Sequence, residues 1–223
     1  MCGRYTLTKT KEALSQAFSV DPDIEIEAQY NIAPTQMVIA LLCNQNSKER
    51  EFKRLRWGLI PSWAKDPTIG AKLINARSET VAEKPAFRAA FLRRRCLIVA
   101  DGFYEWKKQS GKKQPFYFCL EDKQAFGFAG LWEQWESPEG EEIASCTILT
   151  TKPNELVESL HDRMPVILEK QDYNLWLDPQ VQTPEPLQQI LDPYPASSMI
   201  GYPVSTIVNN PKYNSPECIV QIS

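Results

Sequence analysis

At 223 residues the chain has room for one sizeable domain or two small ones, and 43% hydrophobic with 10% aromatic residues is the composition of a soluble globular protein. No apolar run approaches the roughly 18 residues of a membrane span, and residues 1–30 lack the apolar stretch of a secretory signal, so the expected location is the cytoplasm. The net charge of -3 excludes a uniformly basic nucleic-acid binder, yet residues 1–120 hold 20 Lys and Arg against 12 Asp and Glu while the remainder holds 5 against 16. That asymmetry either presents one basic face to phosphate or pairs up across the fold.

The chain opens Met1-Cys2-Gly3-Arg4. Cysteine is small enough for the initiator methionine to be trimmed, which would leave Cys2 with amine and thiol on adjacent carbons. An α-amine of pKa about 7.7 to 8.0 and a thiol of about 8.5 are both partly deprotonated near neutrality, so both can attack one carbonyl carbon. An aldehyde would be taken as a Schiff base and closed into a five-membered thiazolidine.

Thr10 reads as the N-cap of a short helix to about Phe18, with Ala13, Leu14, Ala17 and Phe18 on one face. Pro34 keeps Ala33 out of the helical region, so Gln29 to Pro34 is extended or turn backbone. Strands are predicted at 36–43 and 51–57, joined by a polar turn over 44–47. Trp57 to Trp63 is a loop with two indoles, followed by Leu73 to Thr80 and by a helix from Pro85 that ends in Arg93-Arg94-Arg95, cations that suit a helix C-terminus. Cys96 to Ala100 is a continuous apolar strand running into Asp101-Gly102-Phe103-Tyr104-Glu105-Trp106. Further strands at 114–120, 124–132 and 143–151 precede a short helix over 154–160, a helix over 169–177, a proline-rich surface stretch over 179–195, and last strands near 199–208 and 217–222. Many short strands with turn punctuation predict an α+β fold: a single domain, residues 1–223, with a curved, mostly antiparallel β-sheet or open barrel core and peripheral helices.

Cys43, Cys96, Cys119, Cys146 and Cys218 lie in or beside apolar runs and read as buried small hydrophobes in a reducing compartment. There is no CxxC and one histidine, so no metal is expected. That histidine, His161, lies in a polar turn between Leu160 and Asp162-Arg163 and is either a proton-transfer group or a structural hydrogen-bonder. Glu105, set among Phe103, Tyr104 and Trp106, would have its charged form disfavoured if the rings enclose it, and would be an ordinary surface carboxylate if they do not. Asn31, Asn75 and Arg77 are polar residues embedded among small and apolar ones. They fit either substrate or phosphate contacts or backbone capping.

Six segments in one order carry a resemblance: Met1-Cys2-Gly3-Arg4-Tyr5, Tyr30-Asn31-Ile32-Ala33-Pro34, Trp57-Gly58 with Pro61 and Trp63, Ile74-Asn75-Ala76-Arg77 with Glu79-Thr80, Ala100 to Trp106, and His161-Asp162-Arg163-Met164-Pro165, with Pro203-Val204-Ser205 and Val208-Asn209 behind them. Together they closely resemble the SRAP family, the SOS response-associated peptidases. The resemblance implies a protein of the DNA damage response that binds single-stranded DNA and captures the ring-opened aldehyde of an abasic site on the N-terminal cysteine as a thiazolidine crosslink. It implies Cys2 as nucleophile, Asn31 orienting it and the sugar, Glu105 as proton-transfer group and His161 at the sugar and 3' phosphate. It also implies DNA contacts from Arg4, Asn75, Arg77 and Arg163 and an aromatic wedge in Trp63, with no cofactor, a monomer, and association with the nucleoid when DNA is bound. Some members carry two adjacent tryptophans in the wedge loop, whereas Ala64 follows Trp63 here. Two other readings remain: a cysteine peptidase that uses Cys2 and His161, including removal of its own Met1, and a non-covalent single-strand binding module.

Overall fold

A computed structural model describes residues 2–44, 47–109 and 112–222, with the side chains of 108, 109 and 112 left aside. The elements in order are β1 (Tyr5–Leu7), α1 (Lys11–Phe18), β2 (Gln29–Ile32), β3 (Met37–Cys43), β4 (Arg50–Trp57), β5 (Asn75–Arg77), α2 (Arg88–Arg93), β6 (Arg95–Ala100), β7 (Gly102–Gln109), β8 (Lys112–Leu120), β9 (Phe126–Glu136), β10 (Glu142–Thr151), β11 (Met164–Pro165), α3 (Tyr173–Leu177), α4 (Pro184–Gln188) and β12 (Met199–Pro203). β10 pairs with both β9 and β4, which closes β3, β4, β10, β9 and β6 into a five-stranded barrel. The β4–β10 pair is parallel and the other four are antiparallel. β5 and β11 extend β10, and a second sheet, ordered β12-β8-β7-β1-β2, is antiparallel throughout.

The barrel forms where the sequence is most continuously apolar. All six residues of β6 are buried, and its neighbours β3 and β9 bring Leu41, Ala129 and Phe128 against it. Each fully buried Leu or Phe contributes roughly 1.5 to 3 kcal/mol. The second sheet packs on the barrel through Tyr5, whose ring meets Trp57 and Phe128 edge-on at centroid distances of 5.3 and 5.8 Å. Thr10 caps α1, its hydroxyl accepting from the Ala13 amide at 3.3 Å, and Leu14 and Phe18 are its buried residues. Arg95 does cap helices, but from inside: its guanidinium donates to the carbonyls of Phe91, Trp176 and Asp178, closing the ends of α2 and α3.

Several elements differ from expectation. Residues 155–160 form successive turns rather than a helix: Asn154 accepts the Val157 amide as an N-cap would, but the backbone bonds that follow alternate between three- and four-residue spacing and no regular ladder forms. The expected strand over 217–222 is replaced by a 3-10 turn at Pro216–Ile219, and a lone bridge joins Val204 to Gln221. Glu105 lies inside its own strand, β7, rather than at the end of β6. β1 and β5, three residues each, were not anticipated as strands. Of the turn over 44–47, residues 45 and 46 lie outside the described residues, as does Met1 and with it the expectation about its removal.

Candidate active site

β1 runs between β7 and β2, with Tyr5 opposite Phe103 on one side and Ile32 on the other. The Tyr104 amide donates to the Arg4 carbonyl at 3.0 Å, and continuing that register brings the residues before β1 alongside Glu105. From the barrel side, Asn75 at the start of β5 donates from Nδ2 to the Cys2 carbonyl at 2.8 Å. Cys2 is thus held where the two sheets meet, and its side chain is 0% exposed. Burial, and after it the Glu105 charge, push the Cys2 thiol well above its usual range.

Glu105 is 2% exposed. Burial raises its carboxyl from 4.5 to about 7, the Asp162 charge adds to the rise, and a hydrogen bond from the Trp106 backbone opposes it. A carboxyl of that pKa is present in both protonation states near neutrality, which is what a group that gives and takes a proton requires. Asp162, whose charge acts on Glu105, belongs to the His161 turn. The His161 Nδ1 accepts from the Arg163 amide at 3.0 Å and lies 2.9 Å from Asp162 Oδ1. An Nδ1 that accepts carries no proton, so with that bond in place the ring proton is on Nε2; protonating Nδ1 would exchange the Arg163 amide for Asp162.

The remaining expected residues divide. The Asn31 amide donates to the carbonyls of Val208, Asn210 and Tyr213 at 3.2, 3.0 and 2.7 Å, and its Oδ1 accepts from Arg4 Nη1 at 2.7 Å. It fastens the C-terminal segment and Arg4, while it is Asn75 that touches Cys2. Arg4 also donates to the Val208 carbonyl at 2.9 Å and lies 5.9 Å from the centre of the Trp106 ring. Arg163 is engaged by both carboxylate oxygens of Glu79 and by the Thr150 carbonyl. Arg77, at the end of β5, and Trp63, 60% exposed, face solvent. The Asn75 Oδ1 is buried with no hydrogen-bond partner among the described residues.

Trp106, Asp162 and Glu79 were not singled out from the sequence. Trp106 brackets Arg4 and donates from Nε1 to Asn209 Oδ1 at 2.6 Å. Adjacency to Glu105 and His161 was the available signal for the first two, and Glu79 stood in one of the segments that carry the resemblance with no role read for it. Among the described residues no group of His, Cys, Asp and Glu could hold a metal ion, and no helix is long and apolar enough to cross a membrane.

The sequence model of the SOS response associated peptidase (SRAP) family matches residues 1–211. The chain belongs to the SRAP family. It is 49% identical over 223 residues to the abasic site processing protein YoqW of Bacillus subtilis strain 168, covering 98% of this chain and 99% of that one. It is 34% identical to the abasic site processing protein HMCES of Xenopus tropicalis, covering 100% of this chain and 78% of the other. Among crystal structures, a Bordetella bronchiseptica protein matches with a TM-score of 0.79 at 30% identity, over 92% of this chain and 100% of that one. A Bacteroides thetaiotaomicron protein matches with a TM-score of 0.89 at 24% identity over the full length of both, which shows a common fold.

Proposed function

We propose that this SRAP protein processes abasic sites in DNA by capturing their ring-opened aldehyde on Cys2 once Met1 has been removed. The observation that carries the reading is the pairing of Cys2 with a carboxyl raised to about 7, together with relatives named for abasic site processing. With its thiol pushed up, Cys2 is a poor thiolate, so the amine attacks first. Its nitrogen bonds to the aldehyde carbon, and protonated Glu105 delivers a proton to the departing hydroxyl, which leaves as water and gives a Schiff base. The resulting Glu105 carboxylate accepts the thiol proton as sulfur adds to the same carbon, and the imine nitrogen becomes the ring amine. Asn75 fixes the Cys2 carbonyl during both steps.

The strand of DNA would be single, because Trp63 can stack on an unpaired base while Arg77, Arg4 and Arg163 meet phosphates. Arg163 would first exchange Glu79 for phosphate. The family description favours a second reading, peptide hydrolysis with Cys2 and His161. It would need an activated thiolate, and the two largest causes acting on the Cys2 thiol, burial and the Glu105 charge, run the other way.

The test uses Met1-processed protein and a single-stranded oligonucleotide with one abasic site, resolved on a denaturing gel. A heat-stable shifted band that Cys2→Ala abolishes is expected. Cleavage of a peptide by this protein, or of Met1 by unprocessed protein, dependent on Cys2 and His161 and without any shifted band, would replace this reading by the second.

A further inference from the structure

The loop from Gly58 to Asp66 presents one large apolar side chain to solvent, and its backbone is tied down on either side of that residue. The Ile60 amide donates to Ser145 Oγ at 2.8 Å, the Ser62 amide to Glu133 Oε2 at 3.2 Å, and the Ala64 carbonyl accepts from Trp135 Nε1 at 2.7 Å. Alternate loop residues are therefore held while Trp63 is 60% exposed. The three anchors come from one place in the barrel: Glu133 and Trp135 are two apart on β9 and so share a face, and Ser145 on β10 is the register partner of Glu133. Glu133 is 4% exposed, and its other oxygen pairs with the Arg94 guanidinium. A buried carboxylate that joins a cation on one side to a loop amide on the other is a costly device for an ordinary loop.

We infer that Glu133, with Trp135 and Ser145, is a positioning residue that fixes the Trp63 loop before DNA arrives, so that the indole is already oriented to stack on a base beside the lesion. This rests on the reading of Trp63 given above. A free loop would order only on binding, and that ordering weakens affinity without altering the chemistry at Cys2. Glu133 and its partners therefore act on DNA affinity and not on the capture step.

Two variants report on this in the full chain. Glu133→Ala removes the central anchor, and Trp135→Phe keeps the packed ring but deletes the Nε1 donor, so it folds even if the first does not. Three measurements are needed: amide exchange at residues 60 and 62 in the free protein, affinity for single-stranded DNA bearing an uncapturable tetrahydrofuran abasic analogue, and the maximal capture rate on a natural abasic site. We expect faster exchange at both amides and affinity weakened about tenfold, within the range for loss of one base stack, with maximal capture changed less than about twofold. In a Trp63→Ala background the same variants should weaken affinity no further. Unchanged exchange, an equal loss of affinity with and without Trp63, or a lowered maximal rate would overturn the proposal. Faster exchange with a Trp63→Ala protein that binds as wild type would instead overturn the DNA contact assigned to Trp63, and the affinity role of Glu133 with it.

Discussion

Asp101 and Glu105 are four residues apart, are 3% and 2% exposed, and flank one short run of strand, yet the fold treats them in opposite ways. Asp101 is wrapped in donors: Oδ1 takes the Thr6 hydroxyl at 2.5 Å, and Oδ2 takes the Thr8 amide and hydroxyl at 2.7 and 2.5 Å. The Thr6 hydroxyl is itself 3.0 Å from Tyr117, whose ring lies so close to Gly102 that a Cβ there would meet its hydroxyl at 2.1 Å. Glu105 instead feels the Asp162 charge and acts on the Cys2 thiol, and burial outweighs the stabilising contacts it has, leaving its carboxyl at about 7. Equal burial thus goes with one carboxylate that clasps Thr6 and Thr8 and another whose carboxyl burial raises to about 7.

The largest effect expected from breaking this contrast is chemical. Glu105→Gln removes the proton carrier and should slow crosslink formation by about 10² to 10⁴, read as band appearance over time. The same variant sharpens the contrast in stability. The folded-state value of Glu105 lies above its ordinary 4.5, so its contribution to stability is whole below about 4.5 and is lost as pH rises through about 7. Glu105→Gln should therefore match wild type at pH 4 and exceed it at pH 8 by roughly 3 kcal/mol in denaturant melts. Equal rates in mutant and wild type would remove Glu105 from the mechanism.

Asp101→Ala comes next and runs the opposite way. It strands Thr6 and Thr8 without their acceptor and should cost about 3 kcal/mol at neutral pH. Capture by the fraction that remains folded should stay near the wild-type rate, which a stopped capture assay below the melting midpoint would read. Smaller again is Gly58→Ala, at φ +132°, where a Cβ would meet the Gly70 carbonyl oxygen at 2.6 Å. A cost of about 2 kcal/mol is expected, with weaker DNA affinity because the turn leads into the Trp63 loop.

The barrel was legible where strands are long and apolar. Met37–Cys43 and Arg95–Ala100 carry runs that few other structures accommodate, and their ends were placed within a residue or so. Closure of the barrel was not legible, since it depends on a parallel pairing of Arg56 and Trp57 with Ser145 and Cys146 across the whole middle of the chain. β1 and β5 are too short to show a period, and their pairing partners alone make them strands. The end of the chain misled in the other direction: Cys218-Ile219-Val220 is an apolar run like that of a strand, but Pro216 starts a tight turn there. Within the site, Cys2 could be picked out by its place behind Met1 and Glu105 by the aromatic run that carries it, although their partners Asn75 and Asp162 come from far along the chain. Asn31 and Asn75 could not be told apart, because both are set among small and apolar residues. Only the pairing of β5 with β10 decides that Asn75 reaches Cys2.

Covalent joining of Cys2, as a free N-terminus, to the abasic aldehyde has its most direct test in the intact mass of the heat-treated product. The expected species equals the protein lacking Met1, plus the oligonucleotide, less one water, formed without a reducing agent and missing in Cys2→Ala. A product that keeps Met1, or one that Cys2→Ala forms equally well and that survives heating unreduced, would contradict it.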